Sequence, residues 1–425
     1  MRLQLESTNI TDVQFADKTY ISDSTLYINR EELKSILADP YFLDINIDVA
    51  KPGESTRIIN VADIFEPRCK ITGGNNFPGM LEETVLAGTG TTRALKGVSV
   101  VICDQHPHWI HSKSLIEMSG PGAQMGAYSR MINIVLDPTP NGDDIDDHEY
   151  AHALKRAGLK MAVYLAKAAE ALKPDHVEVS DLETSVDVDP KLPRVAYYYQ
   201  IYSPQHDPRG IPDPIFYGYP ISTTLPLVVH PNEILDGAVM SGYTIRMMET
   251  YSIQNHPIIT ELMRRHGKDL NFAGVVVGVC SMEPIRRRLA AMMVGNLVKN
   301  TLRADGVIMT KALGGAPNVD LGAAAVECEN LGVKTSLLIQ VLNTEASLDK
   351  EVMFKSPKLN AIINTGVIFQ TAKLPAVSKI IGGNQDTPVF GSRKQTAGQD
   401  LEVEQRFICG CLNQLGASSA TAVEY

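Results

Sequence analysis

Residues 272–280 read Phe-Ala-Gly-Val-Val-Val-Gly-Val-Cys, an unbroken apolar run. A strand with no polar alternation meets water on neither face, so it has to lie inside a sheet covered on both sides. Its surroundings fit that placement. Arg194 to Tyr202 and Thr224 to His230 read as strands before it. After it come a helix from Pro284 to Leu302, with Pro in its first turn, a strand from Gly306 to Thr310 and a helix from Val319 to Leu331. Strands from Lys334 to Leu342 and from Leu359 to Asn364 follow. Alternating units of this length imply a mostly parallel, doubly wound α/β sheet.

The chain ahead of it is β-rich. Thr19 to Ile28 and Ile45 to Ile59 carry β-branched, strand-like content, broken by a turn at Lys51-Pro-Gly-Glu54. Glu31 to Ala38 is a short helix stopped by Pro40, and a strand ends in Val98-Ser-Val-Val-Ile-Cys103. Asp104 to Gly142 reads as loop-rich. Asp146 to Leu172 is the clearest helix: Leu154, Ala157, Leu159, Ala162, Leu165 and Ala169 build one apolar face, and Pro174 ends it. Asp175 to Lys191 is acidic and reads as an exposed connection. The expected division is a β-rich N-terminal domain over 1–145, a helix and connection over 146–191, and an α/β domain over 192–425.

A formal net charge of −10 argues against a nucleic-acid surface. The apolar runs are too short to span a bilayer, and no signal-peptide pattern follows Met1, so a cytoplasmic chain with no membrane partner is expected. Six cysteines are scattered with no CxxC pair; Cys409 and Cys411 form a CxC. Reduced thiols rather than a disulfide framework are the expectation.

Two histidine patterns stand out. His148-Glu-Tyr-Ala-His152 matches HExxH on a helix, the spacing of zinc hydrolases, although an ordinary amphipathic helix carries the same residues. His106, His108 and His111 crowd around Trp109, the only tryptophan. Imidazoles at that density are candidate metal ligands, or the loop is a plain subunit contact. Trp109 alternatively offers a face to a cationic ammonium. Ser119 and Gly120, in Met118-Ser-Gly-Pro-Gly-Ala123, either present backbone N–H groups to a substrate carboxylate or form a tight turn. Gly314-Gly-Ala-Pro-Asn318 has the position of an anion-binding turn but lacks any nucleotide-binding motif.

Several segments, in order, resemble the proprotein subunit of component B of glycine, sarcosine and betaine reductases. They are Asn9-Ile-Thr-Asp-Val-Gln-Phe15, Pro52-Gly-Glu-Ser55, Glu117-Met-Ser-Gly-Pro-Gly-Ala123, His230-Pro-Asn-Glu-Ile-Leu-Asp-Gly-Ala238 with Ser241-Gly242, Arg265-His-Gly-Lys-Asp-Leu-Asn-Phe272, Ala304-Asp-Gly-Val-Ile308 and Gly315-Ala-Pro-Asn-Val-Asp320. The resemblance implies a subunit of an oxidoreductase complex that cleaves a carbon–nitrogen bond reductively. In that family a cysteine attacks the preceding carbonyl, the resulting ester-like bond breaks by β-elimination, and hydrolysis leaves a pyruvoyl ketone. The ketone forms a Schiff base with a substrate amine, and a thiolate or selenolate of a second component B subunit displaces the nitrogen.

This chain departs from the pattern. Where the family has the cleavable cysteine it has Thr244, after Tyr243. A secondary alcohol is a poorer nucleophile and leaving group than a thiol, and its elimination would give a 2-oxobutyryl group. The expectation is an intact backbone, no pyruvoyl cofactor, and a small amine or ammonium substrate bound noncovalently for a partner subunit carrying a Cys or selenocysteine redox motif. Thr244, Ser241, His230 and Asp236 are the candidate catalytic residues, as a polar cluster around the former processing point. The alternatives are a non-catalytic scaffold subunit, or a metal-dependent enzyme using the histidine-rich loop.

Overall fold

The structure is a computed structural model describing all residues except 106–113, 143–144, 185, 204–212, 243–247, 281–282, 312–314, 342–344, 346–347, 355, 360, 368–369, 384–388, 391–392 and 418–425. It is a mixed α/β chain. In the N-terminal half the main elements are β1 (Arg2–Asn9), β2 (Phe42–Ala50), β3 (Thr56–Phe65), β4 (Arg68–Thr72), β5 (Gly90–Lys96), β6 (Val98–Cys103), β7 (Ser114–Glu117), β8 (Ile132–Pro140), α1 (Asp147–Lys167) and β9 (His176–Asp181). Two sheets result, with strand orders β9-β1-β5-β4 and β7-β3-β6-β8-β2.

Helix α1 covers them. Its cap is Asp146, whose carboxylate accepts the His148 and Glu149 N–H groups at 3.0 and 2.9 Å. Its apolar stripe, including Leu154, Leu159, Ala162 and Leu165, packs with Phe65, Ile102 and Ile134 in one core.

Strand β8 lies in the stretch read as loop-rich. Pro138 and Pro140 disguise it in the sequence. The parallel pairing of β8 with β6 covers only Ile132 to Leu136, so both prolines stand past the point where that neighbour needs an N–H donor. Strand β9 lies in the expected connection. It is mostly exposed, but it pairs antiparallel with β1 from Ser7↔His176 to Arg2↔Asp181 and forms the sheet edge.

The second half contributes β10 (Arg194–Ile201), β11 (Leu227–Val229), α2 (Pro231–Leu235), α3 (Thr250–Gln254), α4 (Pro257–Arg265), β12 (Asn271–Val279), α5 (Pro284–Asn296), β13 (Gly306–Thr310), α6 (Ala316–Asn330), β14 (Lys334–Val341) and β15 (Ala361–Val367). The third sheet has the order β11-β12-β10-β13-β14-β15. Its pairs are parallel except β11 with β12. The apolar run predicted to be buried is β12, and every residue of it is buried. Alternation along β10 divides the core. Tyr197 and Tyr199 join Ile259 and Leu262 of α4 on one face, while Ala196 and Tyr198 join Val294 of α5 and Leu321 of α6 on the other.

The C-terminal stretch returns to the first half. Strand β16 (Lys379–Ile381) pairs with β3, and Arg57 of β3, fully buried, donates to the carbonyls of Pro375, Ala397 and Gln399 and pairs with Glu117. No helix among the described residues is long and apolar enough to cross a membrane.

Candidate functional site

The segment 243–247, which holds Thr244, lies outside the described residues, but both of its flanks are anchored in the protein interior. Ser241 precedes it. The Ser241 N–H donates to Thr250 Oγ1 at 3.1 Å, and the Ser241 carbonyl accepts from Lys155 Nζ at 2.7 Å. Lys155 also pairs with Asp63 Oδ2. Asp63 in turn accepts the Thr250 N–H at 2.9 Å, the Thr250 hydroxyl at 2.6 Å and the Ile64 N–H at 2.8 Å. Asp63, Lys155, Thr250 and Ser241 are all buried. Burial pushes the Lys155 pKa down while Asp63 pulls it back up, with a net lowering. Lys155 Nζ also stands 5.4 Å from the centre of the Phe65 ring.

The other flank carries Glu249. Its carboxylate accepts the Tyr128 hydroxyl at 3.1 Å and the Gly410 N–H at 3.0 Å, and Ser252 Oγ stands 3.5 Å away. Burial raises the Glu249 pKa to about 7, against the pull of its hydrogen bonds, and the nearby charge of Asp63 adds to the rise. A buried carboxyl group poised near neutrality is a perturbation frequent at functional sites.

The other expected residues have different surroundings. His230 caps α2: Nδ1 accepts the Asn232 N–H at 3.1 Å, and Nε2 meets the Leu182 carbonyl at 3.1 Å, so both ring nitrogens are engaged. Burial lowers its pKa, which keeps the ring neutral. Asp236 accepts Thr92 Oγ1 at 2.6 Å and the Gly88 N–H at 2.8 Å and pairs with Lys70. These bonds tie α2 to the first sheet.

Ser119 caps the short helix Gly120–Met125, and Gly120 has φ +70°, the left-handed conformation that its lack of Cβ permits. Trp109, His106, His108 and His111 lie outside the described residues. In the HExxH segment His148 and Glu149 are exposed, and burial lowers the pKa of the half-buried His152. Among the described residues no group of three His, Cys, Asp or Glu side chains is placed to hold a metal ion.

Sequence reasoning missed Asp63, Lys155, Glu249 and Thr250. For Lys155 a signal was present. It falls on the apolar stripe of α1, four residues from Ala151 and Leu159, where a lysine has to find a buried partner.

All six cysteines are buried, and none of them forms a disulfide. Burial pushes Cys69, Cys280, Cys328 and Cys411 up to about 12 and Cys409 well above its usual value. The nearest cysteine downstream of position 244 is Cys280, buried just past the end of β12.

The family model for glycine/sarcosine/betaine reductase component B subunits matches residues 1–423. Over its whole length the chain is 30% identical to "Glycine reductase complex component B subunits alpha and beta" of Peptoclostridium acidaminophilum, which it also covers completely. It is 33% identical to that organism's "Sarcosine reductase complex component B subunit alpha", over 90% of this chain and 89% of the relative. It is likewise 33% identical to the same organism's "Betaine reductase complex component B subunit alpha", over all of both chains. No solved structure matches the chain. A match of this extent, to a family read first from scattered motifs, establishes that the chain belongs to the glycine/sarcosine/betaine reductase component B family.

Proposed function

We propose that this chain is the substrate-holding subunit of a reductase complex in which a partner subunit's thiol or selenol cleaves a carbon–nitrogen bond of a small amine or ammonium substrate. In that step the carbon–sulfur or carbon–selenium bond forms as the carbon–nitrogen bond breaks, and the electron pair leaves with the nitrogen. Reductant for releasing the product comes from other components of the complex.

The observation that carries this reading is the state of the chain's own thiols. All six are buried, and burial pushes Cys69, Cys280, Cys328, Cys409 and Cys411 upward, away from the thiolate form that attacks. The nucleophile therefore comes from elsewhere. The pyruvoyl group of the family needs a thiol at position 244, and Thr244 does not fit that chemistry, so we derive no step through it. The role left to this chain is binding and orientation, which can supply a large share of a barrier reduction. Lys155 and Thr250 fix the backbone of Ser241, and Glu249 and Tyr128 fix the opposite flank.

Intact mass tests the reading. A single species at 46.4 kDa is expected, with no borohydride-trapped adduct to glycine or sarcosine. Activity of the reconstituted pair is expected to survive Thr244→Ala. Two fragments divided before Thr244, one of them carbonyl-reactive, would overturn it.

A further inference from the structure

Helix α5 leaves an apolar side uncovered. Its Ala291 and Val294 turn toward the third sheet and are buried. On the opposite side Ile285, Leu289 and Met292 are 80%, 44% and 51% exposed. Their spacing of four and three residues lines them up along one ridge, about 10 Å long. The patch extends past the helix. Strand β11 forms an edge of the third sheet, and its Val228 pairs with Val276, which packs in the same core as Val294, so Val228 lies on the α5 face of the sheet. Val228 and Leu225 are exposed as well. Isolated exposed apolar residues are ordinary, but a group aligned along a helix and the neighbouring sheet edge marks a contact surface.

Arginine flanks the ridge. Arg286, Arg287 and Arg288 are consecutive, in a chain whose formal net charge is −10. Arg287 turns inward and pairs with Asp320 of α6. Arg286 donates to the Thr223 carbonyl, and Arg288 is exposed; neither meets a carboxylate among the described residues. From Pro284 to Asn296 α5 carries no Asp or Glu, so the same helix of a second copy would bring more arginines and no counter-charge. The excess negative charge of the whole protein works against an anionic membrane as well. The occupant that suits ridge and flanks together is a helix with an apolar stripe bordered by carboxylates, since helices pack the i, i+4 ridges of one into the grooves of the other. Met and Arg are also residues that protein interfaces favour.

The N-terminal end of α5 is tied to the candidate site. Thr223, bonded by Arg286, lies just past Ile221, whose N–H donates to the Pro214 carbonyl at 3.0 Å. Ile215 in turn pairs with Met240, and Ser241 is the next residue. A subunit seated on α5 is joined through these contacts to the strand that leads into Ser241. We propose that the exposed ridge of α5, with Leu225 and Val228 at the sheet edge, is the docking surface for the subunit that supplies the nucleophile. That subunit seats an amphipathic helix on Ile285, Leu289 and Met292 and sets carboxylates against Arg286 and Arg288. The inference rests on the reading that the nucleophile comes from a partner subunit, and it assigns that subunit its place on this chain.

In the test the full chain is titrated with the purified component B subunit that carries the Cys or selenocysteine motif, and sedimentation velocity reads the affinity. Leu289→Glu and Ile285→Asp are each expected to weaken the complex at least tenfold. Both positions are exposed, and circular dichroism confirms the fold. Arg286→Gln/Arg288→Gln is expected to weaken the complex at about 0.05 M salt and to flatten the loss of affinity that the unaltered chain shows toward about 0.5 M. Leu43→Glu, at an exposed leucine of β2, is the control and is expected to bind as the unaltered chain does. Full affinity in both Leu289→Glu and Ile285→Asp would overturn α5 as the surface and leave the substrate-holding role standing. No complex between the unaltered chain and that subunit would overturn both. Self-association of the chain, or binding to phosphatidylserine vesicles, that Leu289→Glu removes would give the ridge to a second copy or to a membrane and overturn the proposal.

Discussion

Replacing Lys155 by Met removes one half of a buried ion pair and keeps nearly the same volume. Asp63 then remains in the interior with its charge, and among the described residues the Ile64 and Thr250 N–H groups and the Thr250 hydroxyl are the donors left to it. Breaking a buried pair from one side costs about 3–5 kcal/mol. Three surviving donors place Asp63 toward the lower end. The Ser241 carbonyl loses its 2.7 Å donor as well, so about 3–4 kcal/mol is the expected loss. If all 425 residues unfolded together, an unfolding entropy of about 2.1 cal/mol/K per residue would turn this into a fall in Tm of roughly 4 °C. A unit half that size would show about twice the shift. Scanning calorimetry reads the change, and hydrogen exchange at the Ser241 and Thr250 amides reads where it acts, with both exchanging faster in the variant. In Lys155→Met/Asp63→Asn no unpaired charge is left behind, so at least half of the lost stability should return. Additive effects of the two substitutions, or a loss under about 1 kcal/mol for Lys155→Met alone, would refute the ion pair as the anchor of this flank.

Glu249 gives a pH signature. Its folded pKa, near 7, lies above the ordinary 4.5, so the folded state favours the protonated form. That contribution is complete below about pH 4.5 and is lost as pH rises through about 7, an amplitude of up to about 3 kcal/mol. Glu249→Gln should flatten the decline in Tm between pH 5 and 8; parallel curves for the two proteins would count against it. The cysteines give a second check. With thiols such as Cys69, Cys280 and Cys411 pushed up to about 12, native protein at a pH of about 7.5 should show no fast reaction with a disulfide reagent, and full reaction only after unfolding. One rapidly modified thiol in the native state would remove the argument for a borrowed nucleophile.

Much of the architecture was legible from local pattern. The apolar run became the fully buried strand β12, and the stripe from Leu154 to Leu165 became the core face of α1. Both are periodicities of neighbouring residues, which a chain displays before it folds. Strand β8 was hidden because the meaning of its prolines depends on how far a neighbouring strand extends beside it.

The candidate site was much less legible. The sequence by itself determined the family, through ordered motifs, and raised the expectation, from Thr244 at the place matched to the family's cysteine, that no pyruvoyl group forms. The tertiary structure alone decided which groups meet at Ser241 and Thr250, the flanks of the segment 243–247. Asp63, Lys155 and Thr250 come from a strand and two helices far apart in the chain, and nothing local in any of them names the others. A cleft of about 310 Å³ between the first sheet and α4 is likewise a product of strand register, since Ser7 and Ala94 line it side by side through their pairing. The physical reason is that a buried charge or an unfilled space is defined by what surrounds it, and those surroundings are created by packing between distant segments.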